Sequence, residues 1–262
     1  MPSTRPSFLL LDADLEGLAA GDAAVLAGEE GRHAAKVARI GVGEELLLTD
    51  TAGRQAVARV TTAAKESLGL ELLEAPRPAP VRVPRLALVQ ALATGGRDEQ
   101  AVESATELGV DRVTPWIARR SVSVWKGERR AKGRAKWEQT VRTAVKQCRR
   151  PGIPVVDVAE DTTALVADVR DRVASGALVL VLHEQESSPL LAAAEELRTA
   201  AERQVPEITV IVGPEGGIAE DELAALRQAG ARSVLLGPEV LRSSTAGPAA
   251  LAVMSALVGR WG

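Results

Sequence analysis

The apolar positions of this 262-residue chain change rhythm once. Before about residue 74 they come in short alternating runs. "EELLLTDTAGRQAVARVTTA" (44–63) predicts two strands joined by a turn at residues 51–53, and "SLGLELLEA" (67–75) predicts another. Short strands with turn signals of this kind predict a small β-barrel over residues 1–74. "APRPAPVRVP" (75–84) carries four prolines in ten residues and reads as a stiff linker. Over residues 85–262, apolar runs alternate with helix-period segments. The strands expected are "RLALVQAL", "RVTPWI", "IPVV", "ALVLVL", "EITVIV" and "SVLL". Helices are expected near 97–109, 137–147, 162–174, 189–202, 219–229 and 245–258. Such βα alternation predicts an α/β domain built on a mostly parallel sheet with helices on both faces.

Composition narrows the picture. No apolar run approaches the roughly 18 residues of a bilayer span, and the N-terminal stretch is too weakly apolar for a signal peptide. One cysteine, Cys148, excludes an internal disulfide framework, and two distant histidines argue against a metal site. The expectation is a cytoplasmic protein without a metal. The net charge of −3 hides an asymmetry: residues 112–150 hold thirteen Lys or Arg against two acids. Three of four tryptophans (Trp116, Trp125, Trp137) lie in that window. A basic, aromatic segment fits a nucleic-acid partner, and equally a solvated charged face with tryptophans as core anchors.

"IVGPEGGIAEDELAAL" (211–226) runs from a strand through glycines into a helix. It lacks the Lys-Ser/Thr of a P-loop and the spacing of a dinucleotide fingerprint. Glu215 and the acids at 220–222 complement the helix dipole themselves and repel phosphate. A neutral or cationic ligand suits the turn better, since glycine lets main-chain groups approach it closely. S-adenosylmethionine, an adenine joined to a sulfonium, is one such ligand. "LGPE" at 236–239 echoes "VGPE" at 212–215, so two strand-end loops can clamp one nucleoside at the carboxyl edge of the sheet. Two tight turns, rich in Gly and Pro for backbone reasons alone, explain the same residues.

Five ordered blocks carry a resemblance: "HAAKVAR" with Gly43, "ATELGVDRVTPW", "WEQTVRTAVKQCRRPGIP", "VGPEGGIAEDEL" and "LLGPEVLRSSTA". Together they resemble the SPOUT methyltransferases, and within them the RsmE-type enzymes that methylate N3 of a uridine in 16S ribosomal RNA of the small subunit. The resemblance implies an N-terminal PUA-like barrel that binds RNA and a SPOUT α/β domain whose C-terminal segment forms a trefoil knot. It also implies S-adenosylmethionine as cofactor and a homodimer. By position, three loops would hold the cofactor: Leu182, His183 and Glu184; Gly213, Pro214, Glu215, Gly216 and Gly217; and Leu235, Leu236, Gly237, Pro238, Leu241 and Arg242. The chain departs from the family at Glu239, where an Arg is usual, at Ser244, where a Glu is usual, at Glu103 and Ser104, and at the helix cap Ala219.

Methylating a uracil imide needs an aligned methyl donor and a positive group beside the ring oxygens. Arg242 is the expected stabiliser. Glu184, Glu215, Ser244, His183 and solvent are the candidate bases. Arg119, Arg120, Lys126, Arg129, Arg130 and Arg150 are expected phosphate contacts, with His33 and Arg39 on the barrel. A non-catalytic RNA-binding protein of this fold, or methylation at another position such as a ribose 2′-hydroxyl, remain alternatives.

Overall fold

The computed structural model describes residues 5–261. The first four residues of the expected barrel and Gly262 lie outside the described residues. The chain divides into two compact units, one of residues 1–81 with 145–153, the other of residues 82–144 with 154–262.

The first unit holds β1 (Ser7–Leu10), β2 (Ala23–Leu26), β3 (Glu45–Asp50), β4 (Gln55–Ala63) and β5 (Leu68–Leu72). They form one sheet in the order β1-β3-β4-β5-β2, parallel at β1–β3 and antiparallel elsewhere. Alternate residues of all five strands, among them Phe8, Leu26, Leu48, Ala58 and Leu70, enter one apolar cluster with Leu15 and Ala34. A sheet whose single face closes on one core is curled. The short helix α1 (Gly28–Arg32) runs into a π-helical turn (His33–Val37). The added segment 145–153 is tied here by the buried pair of Lys146 with Glu30 at 2.6 Å.

The second unit contains β6 (Arg85–Ala91), α2 (Arg97–Glu107), β7 (Arg112–Ile117), α3 (Glu128–Cys148, its last turn in the first unit), β8 (Val155–Val156), β9 (Glu160–Asp161), α4 (Thr162–Ala174) and β10 (Leu178–Leu182). A 3₁₀ turn (Leu190–Ala193), α5 (Ala194–Glu202), β11 (Glu207–Val212), α6 (Glu220–Gln228), β12 (Arg232–Val234) and α7 (Ser243–Leu257) follow. The sheet runs β12-β10-β11-β6-β7-β8 with every pair parallel, and β9 pairs with β7. Its central strand β11 is buried throughout, as expected of a parallel strand covered on both faces. On one face Val89, Val181 and Ile211 pack against α4 and α6. On the other, α7 lies over β6 and β11 beside α2. A Cβ on Gly247 of α7 would stand 2.9 Å from Leu88, so glycine is what lets the helix approach the sheet.

Helix α3 begins nine residues earlier than the sequence suggested. Its first turns have no apolar stripe to announce them. They are held instead by Arg134 with Glu138 at 3.1 Å and by the Trp125 indole, which lies where a Cβ on Gly133 would stand.

Beyond β12 the chain passes between two parts of one loop. Val234 accepts from the His183 N–H at 3.1 Å, while Leu235 donates to Ser188 and accepts from Leu190, both at 2.7 Å. Residues 183–190 therefore flank the 234–235 stretch on both sides. This is the local geometry that a threaded C-terminus requires.

Candidate active site

Parallel pairing puts the carboxyl ends of β12, β10 and β11 side by side. The loops leaving them line one cleft of about 490 Å³. All fourteen residues expected to hold a cofactor lie on its wall, from Leu182, His183 and Glu184 through Gly213–Gly217 to Leu241 and Arg242. Sequence reasoning missed Arg97, Val212, Ile218, Ser243 and Ala246, which also line it, as does Val240 inside the expected 235–242 loop. Glu239, at the position of the family's Arg, is on the wall as well.

The glycines differ in why they are there. A Cβ on Gly213 would stand 2.6 Å from Ile218, and Gly217 has φ +73°, so the fold itself needs both. A Cβ on Gly216 would meet Arg120 at 3.2 Å. Gly237 is different. Nothing lies within 4 Å of its absent side chain and its φ is outside the left-handed range, yet it lines the cleft. Its bareness leaves main chain open to the cleft, with room for a flat ring system against it.

The charged groups sort by partner. Arg242, at the N-cap of α7, is exposed; its carbonyl accepts from the Thr245 and Ala246 N–H groups at 2.8 and 3.0 Å, while its guanidinium has no hydrogen bond or ion pair with any described residue. Its position at a helix N-terminus is electrostatically unfavourable, so the helix gives it no reason to be there. Glu215 was expected to complement the dipole of α6, but its carboxylate turns toward β6 instead. There it accepts from the Thr94 N–H at 3.0 Å, Thr94 Oγ1 at 3.2 Å and Arg97 Nη1 at 2.9 Å. Partial burial pushes this carboxyl up, but hydrogen bonds from its own N–H, Thr94 and Arg97 together hold it below the usual range. A carboxylate so held is a poor final proton acceptor. Ser244 is buried and does not line the cleft, which removes it as a base. His183 accepts from the Gln185 N–H on Nδ1 at 3.3 Å, and the Glu184 carboxylate lies on the wall without a hydrogen bond to any described residue. The α6 cap is half a capping box: Glu222 accepts from Ala219 N–H at 3.2 Å, and Ala219 has no side-chain oxygen to return the bond.

The basic segment is less open than its charge suggested. Trp116 and Trp137 are fully buried, and Trp125 packs edge-on against Trp137 at 5.6 Å. Trp116 and Trp137 are core anchors, so neither serves as a platform for an extruded base, while Trp125 stays half-buried. Arg119 pairs with Asp221, and Arg120 reaches the Gly216 carbonyl at 3.2 Å, covering the glycine turn. Arg130 bonds the Trp125 carbonyl at 3.3 Å. Lys126 and Arg129 are exposed, and their side chains have no partner among the described residues. In the first unit, His33 and Arg39 are exposed and Arg150 is half-buried, with His33 packed edge-on to Phe8 at 6.0 Å.

A parallel α/β domain with a strand-end cleft of this kind is common to many transferases, and the comparisons make the class specific. The chain belongs to the RNA methyltransferase family, matching its methyltransferase domain over residues 80–255 and its PUA domain over residues 26–73. It is 46% identical over 241 residues to the ribosomal RNA small subunit methyltransferase E of Mycobacterium bovis, covering 92% of this chain and 89% of that protein. It is 26% identical to the protein of the same name from Bacillus subtilis, covering 88% of each. A crystal structure of the Neisseria gonorrhoeae ribosomal RNA small subunit methyltransferase E bound to S-adenosyl methionine superposes with a TM-score of 0.81 at 28% identity, over 97% of this chain and 98% of that one.

Proposed function

We propose that this protein transfers a methyl group from S-adenosylmethionine to N3 of a uridine in the 16S ribosomal RNA of the small subunit. The observation that carries this reading is the cleft itself. Three adjacent strand ends offer bare main chain at Gly237, beside an unpaired guanidinium at Arg242. The cofactor, when bound, supplies an electrophilic methyl on a sulfonium. The residues present fit it. Gly213, Gly216, Gly217 and Gly237 keep the loops open to an adenine ring. Carboxylates at Glu184 and Glu239 tolerate its positive charge.

The uracil imide loses its proton as the methyl arrives, and negative charge grows on the ring oxygens. Arg242 is our candidate to meet that charge, its guanidinium free of a competing partner among the described residues. Lys126, Arg129 and Arg130 would engage phosphates, as would Arg119, Arg120 and Arg150, with His33 and Arg39 docking RNA on the first unit. No described helix is long and apolar enough to cross a membrane. Acting on ribosomal RNA, the protein would work in the cytoplasm. A homodimer would cover the outward face of α7, where Ala249, Ala252, Val253 and Ala256 are left partly exposed, and the C-terminal segment would form the family's knot.

Isothermal calorimetry with S-adenosylmethionine, paired with labelled-methyl transfer to small subunits from cells lacking the protein, tests the reading. Uptake with transfer supports it. RNA binding without either would leave only a docking protein of the same fold.

A further inference from the structure

The Arg97–Glu215 pair joins the start of α2 to the glycine turn across 118 residues of sequence, and both members line the cleft. All three donors from other residues, Thr94 N–H, Thr94 Oγ1 and Arg97 Nη1, converge on the same oxygen, Oε1 of Glu215. No other described residue donates to Oε2. Arg97 commits only Nη1, to Glu215 and Thr94, which leaves the donors on Nε and Nη2 without a partner among the described residues. The cleft wall thus presents an acceptor whose direction is already fixed, next to a donor fork fixed by the same contact. Preorganised polar groups of this kind act on a ligand without first having to reorient.

Resting on the methyl-transfer reading above, we propose that Arg97 and Glu215 read the imide edge of the target uracil. Oε2 of Glu215 accepts the N3–H hydrogen bond, and the guanidinium donates to the C4 carbonyl oxygen. The chemistry is complementary on both counts. A uracil presents acceptor, donor, acceptor along that edge. A cytosine presents an unprotonated N3 to the carboxylate and an amine to the guanidinium, so both contacts become repulsive and the wrong base is rejected. Arg242 then serves the remaining carbonyl. In the transfer, the N3 lone pair forms the new bond to the methyl carbon while the methyl–sulfur bond breaks, leaving a neutral thioether. The N3 proton passes to Oε2 and on to water. The donors that keep the Glu215 carboxyl low also keep it from retaining that proton.

The test compares small subunits from cells lacking the protein with subunits already methylated, which no longer carry the N3 proton. Wild-type protein should bind the unmethylated particle more tightly, by roughly tenfold for one hydrogen bond to a charged group. Glu215→Gln should shrink that preference below about twofold and lower kcat by roughly 10²-fold, the usual loss for one preorganised group. Its calorimetric affinity for S-adenosylmethionine should stay close to that of the wild type. Arg97→Lys, which keeps the charge but loses the fork, should lower kcat in the same direction and covers the case in which the Gln variant does not fold. Unchanged kcat and preference in both variants, or a loss confined to cofactor affinity, would overturn the assignment. A wild-type protein that makes no 3-methyluridine would instead retire the methyl-transfer reading itself, a distinct outcome.

Discussion

The Glu222 carboxylate accepts a hydrogen bond from the Arg119 main-chain N–H at 2.9 Å, joining the first turn of α6 to the loop after β7. The same oxygen accepts from Thr162 Oγ1 at 2.5 Å, and Thr162 in turn accepts from the Trp116 indole at 3.2 Å. The other oxygen takes Ala219 N–H. One buried acid therefore fixes the glycine turn against two further strand ends. Glu222→Ala leaves these donors unpaired. It should cost about 2–4 kcal/mol, given roughly 1–3 kcal/mol per unsatisfied buried group, as read from urea denaturation. An unchanged midpoint would show that the strut is dispensable.

Gly237→Ala separates ligand from fold. The chain leaves room for the new methyl and no positive φ forbids it, so the melting temperature should hold or rise slightly. Cofactor affinity should fall by roughly tenfold if the methyl enters the space of the bound ring. Equal affinity in the two proteins would remove Gly237 from the binding surface.

The acid Glu160 supplies a pH dependence. Burial, reinforced by Asp168 and Asp157 against the opposing Arg172 and Arg112, raises its carboxyl from 4.5 to about 7. The folded protein therefore holds a proton that the unfolded chain releases near its ordinary pKa. Stability from this group falls as pH climbs from about 4.5 to 7 and stays low above. Glu160→Gln should raise the melting temperature at pH 8 relative to the parent and leave it nearly unchanged at pH 4.5. A difference independent of pH would contradict the assignment.

Charge reversal of partners is not needed to test the RNA face. Neutralising Arg129 and Arg130 together should weaken RNA binding and lower the log–log salt slope by roughly 1.5, the contribution of two phosphate contacts. A slope that does not move would place the RNA elsewhere.

What could be read from sequence was what local pattern records. Helix α4 was expected at 162–174 and is found at Thr162–Ala174, because Asp161 caps it, accepting from Ala164 N–H at 3.0 Å. The cleft loops were legible because glycines following apolar strands mark backbone under constraint. Arg97 was invisible, since its partner lies in a loop brought near only by the β6–β11 pairing. Trp116 and Trp137 were ambiguous for a related reason: charge clustering in sequence does not say which side of a strand or helix faces water. The resemblance supplied the cofactor and the target, which neither spacing nor charge could decide between purine ligands.

Nucleoside mass spectrometry of 16S ribosomal RNA from cells lacking this protein, before and after restoring it, bears most directly on the account. Loss of 3-methyluridine on deletion, its return with the wild-type chain and its continued absence with Arg242→Ala is the expected pattern. A full complement of 3-methyluridine without the protein, or loss of a ribose-methylated nucleoside in its place, would contradict it.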